Sequence, residues 1–368
     1  MPRNTDRFDA WIHETFPVDA AGLGLFRMAY AAFALFIIAP GHDAYTNLVA
    51  LAELPDAMFA PPPGPMQLFR GFPPVIVAEG ILLLLNLALA ALLIGYRTRL
   101  ASISTAVLFL LVYGFSYSLG KINHNLLFVL VPIVMAGSGW GGDLSYDAQF
   151  HDRREPRAWP LMLLAVIVGF AMFTSGFAKL LGGWLDLSTQ AAYGHLLKHF
   201  FVRGRVDLLA PYAVGLESRT LWEVFDYATV LFELGFLLSI SSARSFRWFV
   251  AAAVVFHFGI MLILNISFHF NLIVYAAFAD WPTMGRWVRE YLPSIQLPRA
   301  MALSFAVLLG TATYLLGSPL IWLDQIIPLR SDLLAREVLT MIAGMSVIVY
   351  LGIREAILGL YRANRRGR

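Results

Sequence analysis

The residue with most chemistry to offer is Lys179, which ends the run Phe173-Thr174-Ser175-Gly176-Phe177-Ala178-Lys179 and is followed by Leu180, Leu181, Gly182, Gly183 and Trp184. A lysine so placed either snorkels its ammonium to a membrane surface or is a desolvated amine that accepts protons near neutral pH. Gly176, Gly182 and Gly183 would let backbone or ligand come close to it. His124 sits in Lys121-Ile122-Asn123-His124-Asn125, where the two asparagines supply donors and acceptors that fix an imidazole tautomer or share a ligand oxygen. His257, Asn265 and His269 form a later polar group. His195 and His199 stand four apart, a spacing that puts both rings on one helical face and suits a metal, but no third ligand is near in sequence, so no metal site is expected. The chain has no Gly-rich phosphate loop, no Gly-x-Ser-x-Gly elbow and no His-Glu-x-x-His, and these absences remove sequence support for nucleotide use, serine hydrolysis and zinc proteolysis.

The elements that must carry these groups are membrane helices. Hydrophobic residues make up 59% of the 368-residue chain and charged residues 14%, against about 25% charged in a soluble domain. Apolar runs of roughly 17–25 residues, the length that crosses about 30 Å of hydrocarbon, recur along the sequence. In lipid each backbone amide must find its partner internally, so such runs are helices. The expected fold is an all-α polytopic bundle of about ten transmembrane helices, at 22–40, 75–96, 100–119, 124–139, 159–180, 221–241, 248–265, 268–281, 300–320 and 335–358. The segment 249–281 is read as two short spans meeting near Asn265 and His269, because merging them would place Arg286, Arg289 and Arg299 outside and spoil the concentration of arginine on one side.

That concentration orients the chain, with both termini cytoplasmic. The net charge of +3 is accounted for by arginines that set orientation and meet lipid, and no nucleic-acid motif is present. Residues 1–21 form a cytoplasmic segment without the apolar core or cleavage site of a removable signal, so the first span is expected to serve as anchor. The long outer loop 182–220 contains an expected interfacial helix over 185–201. There is no cysteine, which excludes disulfides, thiolate metal sites and a cysteine nucleophile. Ionisable groups at membrane depth are site candidates by default; Glu79, His124, Lys179, Glu223 and Asp226 are expected toward the outer side, Arg27 toward the inner side, and Glu233 and His257 near the middle.

The order of an arginine-bearing first span (Leu23-Gly24-Leu25-Phe26-Arg27), an Asn-His pair opening the fourth, Ser175-Gly176-Phe177-Ala178-Lys179-Leu180 with Trp184-Leu185 after it, and a late His257 to Trp281 segment resembles the transmembrane domain of the vitamin K-dependent gamma-glutamyl carboxylase family, also called the horizontally transferred transmembrane domain, common in bacteria. The likeness covers residues 22–281, and 282–368 would add further helices and a basic cytoplasmic tail. The resemblance implies that Lys179 deprotonates a reduced vitamin K or related quinol, that molecular oxygen adds, and that the strong base so formed drives carboxylation with carbon dioxide; His124 would stabilise the quinol oxyanion. Asn123, Asn125, Trp184, His257, Asn265 and His269 are then expected to contact the quinone. The animal enzymes carry a large lumenal region that recognises the protein substrate, and this chain has two more helices in its place. The resemblance also implies a multi-pass protein of the bacterial cytoplasmic membrane whose partners are lipid and a lipophilic quinone, with the site facing the outer side. The alternative is a non-catalytic quinone- or lipid-binding protein or partner subunit. A transporter fits the number of spans but lacks visible inverted halves.

Overall fold

The computed structural model describes residues 4–42, 46–119, 122, 124–150, 155–291, 298–331 and 333–366. Its helices, in chain order, are α1 (Asn4–Glu14), α2 (Ala20–Phe33, continued by a π-helical turn Ala34–Ile38), α3 (Leu48–Ala52), α4 (Val75–Ile94), α5 (Thr98–Ser116), α6 (Leu126–Met135), α7 (Trp159–Leu181) and α8 (Ala191–Leu197, continued by a π-helical turn Lys198–Val202). They continue with α9 (Ala210–Val214), α10 (Arg219–Ser239), α11 (Ala243–Leu264), α12 (His269–Ala276), α13 (Trp281–Tyr291), α14 (Arg299–Leu316), α15 (Ile321–Ile326) and α16 (Ala335–Arg366).

Seven helical stretches among the described residues are long and apolar enough to cross a bilayer: Ala20–Ile38, Val75–Ile94, Thr98–Leu119, Trp159–Leu181, Ala243–Leu264, Arg299–Ile326 and Ala335–Arg354. The chain is a multi-pass helical membrane protein. The other elements read as spans differ for identifiable reasons. Helix α6 has 10 residues and contains Pro132, which has no N–H to give the ladder. Helix α12 has 8 residues, a rise of about 12 Å. Helix α10 has 21 residues and the length to cross, but it carries Glu223, Asp226 and Glu233.

The chain forms two compact units, residues 1–168 with 273–321, and residues 169–272 with 322–368. The stretch 282–368 is therefore divided between them. In the first unit Arg27, fully buried, reaches out of α2 and donates to the carbonyl oxygens of Leu92 at 3.1 Å and Leu144 at 2.5 Å. At the end of α4 it shares the Leu92 carbonyl with the backbone N–H of Gly95, which lies 3.2 Å from the same oxygen. The backbone beside it is Gly95, at φ +72°, where a Cβ would overlap the guanidinium. Tyr30 donates from its hydroxyl to the Phe128 carbonyl at 3.0 Å, and Trp140 from its ring N–H to Ser102 Oγ at 3.0 Å, so α2, α5, α6 and the loop after α6 share one aromatic core.

In the second unit α7 and α10 run antiparallel along a glycine seam. A Cβ at Gly169 would come within 2.6 Å of Ile240 Cδ1, and one at Gly176 within 2.8 Å of Glu233 Cβ. The two glycines are seven residues apart and so are their counterparts, the small-residue packing by which membrane helices bring their backbones together. That register places Glu233 level with Gly176, five residues short of the end of α7, or about 7 Å. Asp226 lies about 10 Å farther along α10 and so just beyond the end of α7.

Candidate functional site

The register of α7 against α10 brings Lys179 onto Glu233. Nζ lies 2.6 Å from Oε2 and 2.8 Å from Oε1, and it donates to Ser175 Oγ, one turn back on its own helix, at 2.9 Å. The Glu233 side chain is 6% exposed and that of Lys179 22% exposed, so the amine is the accessible half of the pair. The Trp184 ring stands 5.3 Å from Nζ, within the range of a cation–π contact. On the open side of α7 the rings of Phe173 and Phe177 stack 6.0 Å apart, and Phe177 and Leu181 are exposed. The group is an amine held by a carboxylate and a hydroxyl, with one aromatic face above it and apolar surface beside it.

The segment after α7 folds over the N-terminal part of α10. Asp226, fully buried, accepts from the backbone N–H groups of Ala191 at 2.8 Å and Ala192 at 2.7 Å, and so satisfies two orphan donors at the start of α8. Tyr227 donates to the Leu185 carbonyl at 2.8 Å, and Arg219 donates to that of Leu187. The expected 185–201 helix begins only at Ala191, because Asp186 accepts from the backbone N–H of Ser188 at 2.9 Å and from its hydroxyl at 2.8 Å and closes a turn first. Those two bonds hold the exposed Asp186 carboxyl below its ordinary range. Leu196 packs among Ala210, Ala213 and Trp222, so α8 is fastened to the unit, while Leu187 and Phe201 stay exposed.

The other residues singled out by sequence fall as follows. His124 is half-buried in the turn before α6, in the first unit, where its carbonyl accepts from Leu127. Asn125 is buried in the same unit and accepts the Tyr117 hydroxyl at 2.5 Å. Asn123 lies outside the described residues. Trp184 joins Lys179, as above, and also packs on His195, the ring centroids 5.4 Å apart. His257 is buried and stacks on Phe268 with centroids 4.1 Å apart and planes 3° from parallel. Asn265 ends α11 in the left-handed region at φ 51°; its Oδ1 accepts from Asp207 N at 2.7 Å, and its Nδ2 donates to the carbonyls of Asp207 at 3.0 Å and Met261 at 3.3 Å. Its amide is committed to holding backbone. His269 Nδ1 lies 2.9 Å from Ser267 Oγ and 3.6 Å from Glu337 Oε1.

Two site residues are not assigned by sequence in their roles: Ser175 enters there only as part of the motif, and Glu233 as a mid-membrane carboxylate without a partner. The signal was present, since a carboxylate in an apolar span requires a cation. Of the ionisable groups singled out at membrane depth, Lys179 and Arg27 are the two fixed cations, and Arg27 is expected toward the other side.

No family model, curated protein or solved structure matches this chain.

Proposed function

We propose that this chain is a membrane enzyme that binds a reduced quinone from the bilayer and uses Lys179 as the base that starts quinol oxygenation, with carboxylation coupled to it, as its resemblance to the vitamin K-dependent gamma-carboxylase membrane domain implies. The observation that carries the reading is the Lys179–Glu233 pair, with its amine reachable and its carboxylate enclosed. An ammonium cannot take a proton. An amine and a carboxylic acid can be reached from the ion pair by moving one proton from Nζ to Glu233, and the amine then accepts the quinol hydroxyl proton. The pair goes from net neutral to singly positive, which balances the quinolate produced. Ser175 keeps Nζ oriented through both states, and Trp184 offers a π-face to the cation or to a flat ring.

In this proposal His124 stabilises the quinolate, and vitamin K quinol or a related quinol, molecular oxygen and carbon dioxide are the co-substrates. About ten crossings, cytoplasmic termini and a site on the outer side of a bacterial cytoplasmic membrane complete it, on the strength of the arginine distribution. Purified protein in nanodiscs, supplied with reduced vitamin K and oxygen, is expected to form the epoxide, and Lys179→Ala and Glu233→Gln are each expected to abolish it. Equal turnover in Lys179→Ala overturns the assignment.

A second reading is favoured by one specific observation: the amine is already satisfied by Glu233 and Ser175 without any ligand. A non-catalytic quinone- or lipid-binding protein or partner subunit would keep the pair as a strut between α7 and α10. Quinone co-purifying with wild type and with Lys179→Ala alike, with no epoxide from either, identifies that case.

A further inference from the structure

The turn between α4 and α5, the loop after α6 and the first residues of α14 border a half-open cavity of about 810 Å3 within the first unit. That is the size of a small-molecule site. Its lining divides into two chemistries. Tyr96, Trp140 and Tyr146 supply aromatic wall, the Tyr96 and Tyr146 rings lying 5.4 Å apart. Arg97, Arg99 and Arg299 supply three guanidinium groups.

Among the described residues, the only carboxylate in the lining is already used. Asp147 Oδ1 accepts from Arg97 N at 2.9 Å, and Oδ2 accepts from Thr98 N at 2.7 Å and Thr98 Oγ1 at 2.9 Å, so this side chain holds the start of α5. Among the described residues, no carboxylate bonds the Arg97 or Arg99 side chains, and Arg299 donates to the Tyr96 hydroxyl at 3.3 Å. Among the described residues of the lining, three cations and one engaged anion leave an excess of positive charge.

Position supplies the rest. The cavity lies where α4 ends and α5 and α14 begin, the level at which aromatic side chains and arginines meet lipid headgroups. Leu100, also in the lining, is 55% exposed, so apolar surface runs from the cavity onto the lipid-facing side of α5. Guanidinium forks match phosphate oxygens, and basic pockets between membrane helices take phospholipid headgroups. We infer that this cavity binds the phosphate headgroup of an anionic phospholipid, with Arg99 and Arg299 on the phosphate and the acyl chains leaving past Leu100.

The test uses the full chain in detergent. Binding of short-chain phosphatidylglycerol is measured by native mass spectrometry and by the shift in thermal midpoint, against phosphatidylcholine of equal chain length and against inorganic phosphate. Phosphatidylglycerol is expected to bind at least about tenfold tighter than phosphatidylcholine, a difference of roughly 1.4 kcal/mol. Arg99→Gln/Arg299→Gln should remove that preference, and Arg244→Gln/Arg286→Gln, the same loss of charge elsewhere, should keep it. Arg99→Gln alone, a change at an exposed position, guards against misfolding of the double variant and should weaken the preference severalfold. Equal affinity for the two lipids, or a preference unchanged in both Arg99 variants, overturns the proposal. Stabilisation by inorganic phosphate equal to that by phosphatidylglycerol also overturns it, and makes free phosphate the ligand.

Discussion

Both carboxylate oxygens of Glu233 lie within 2.8 Å of the Lys179 amine, across a helix interface whose backbones approach at Gly176. Removing one partner leaves the other stranded. Breaking a fully buried pair costs roughly 3–5 kcal/mol, and with the Lys179 side chain 22% exposed a loss of about 2 kcal/mol is expected for Glu233→Leu. Lys179→Met/Glu233→Leu should recover most of it. A double-mutant cycle on unfolding free energy in detergent reads the coupling, and additive single effects would show that the pair is no strut.

Close helix approach makes the seam intolerant of size. A Cβ at Gly176 meets Glu233 Cβ at 2.8 Å and Leu234 N at 2.9 Å, both on a rigid helix. Gly176→Val is expected to cost about 1–3 kcal/mol by overpacking. Gly194→Ala, in α8 where a Cβ meets nothing within 4 Å, should be neutral or stabilising by about 0.4–1 kcal/mol. The thermal midpoint should fall for Gly176→Val and hold or rise for Gly194→Ala.

In the first unit, Gly95 combines a positive φ with the Arg27 guanidinium against its Cα. Gly95→Ala is therefore expected to lower stability by at least about 2 kcal/mol, the combined cost of backbone strain and a displaced buried cation. Arg27→Met, of similar length and uncharged, should partly relieve Gly95→Ala in the double variant. A thermal midpoint no higher in the double variant than the sum of the single effects would separate the two residues.

His199 gives the segment between α7 and α10 a pH dependence. Burial, followed by the charges of Arg205, Arg203, His195 and Lys198, pushes its imidazole down to about 4 from 6.5. The unfolded chain then binds more protons between those values, so this contribution to stability is fully present above pH 6.5 and lost as pH falls toward 4. His199→Phe should flatten the midpoint-against-pH profile over that window. An unchanged slope would assign the dependence to another group.

The class of fold was legible in the apolar runs, and so was the break between Leu264 and His269, where Asn265 takes the left-handed turn that ends α11. Individual crossings were less so: hydropathy alone cannot tell the 10-residue α6 from a full span when apolar residues flank it on both sides. The site showed a similar division. Lys179 stood out by its type and place, whereas its acceptor did not, because the partner lies 54 positions away in sequence and only helix register, set by glycines, brings the two together. Asn265 illustrates the reverse case, a polar residue singled out from sequence that serves backbone geometry.

The clasp around Asp207 bears on the order in which the second unit is assembled. Asp207 meets Asn265 through its backbone and takes the backbone N–H of Ser331 on its carboxylate at 2.6 Å, so three stretches widely separated in sequence close on one residue. Ribosomal synthesis delivers them one at a time. The carboxylate has no Ser331 amide to accept until the chain has grown past that residue, so the clasp closes more than a hundred residues after Asp207 itself has been made.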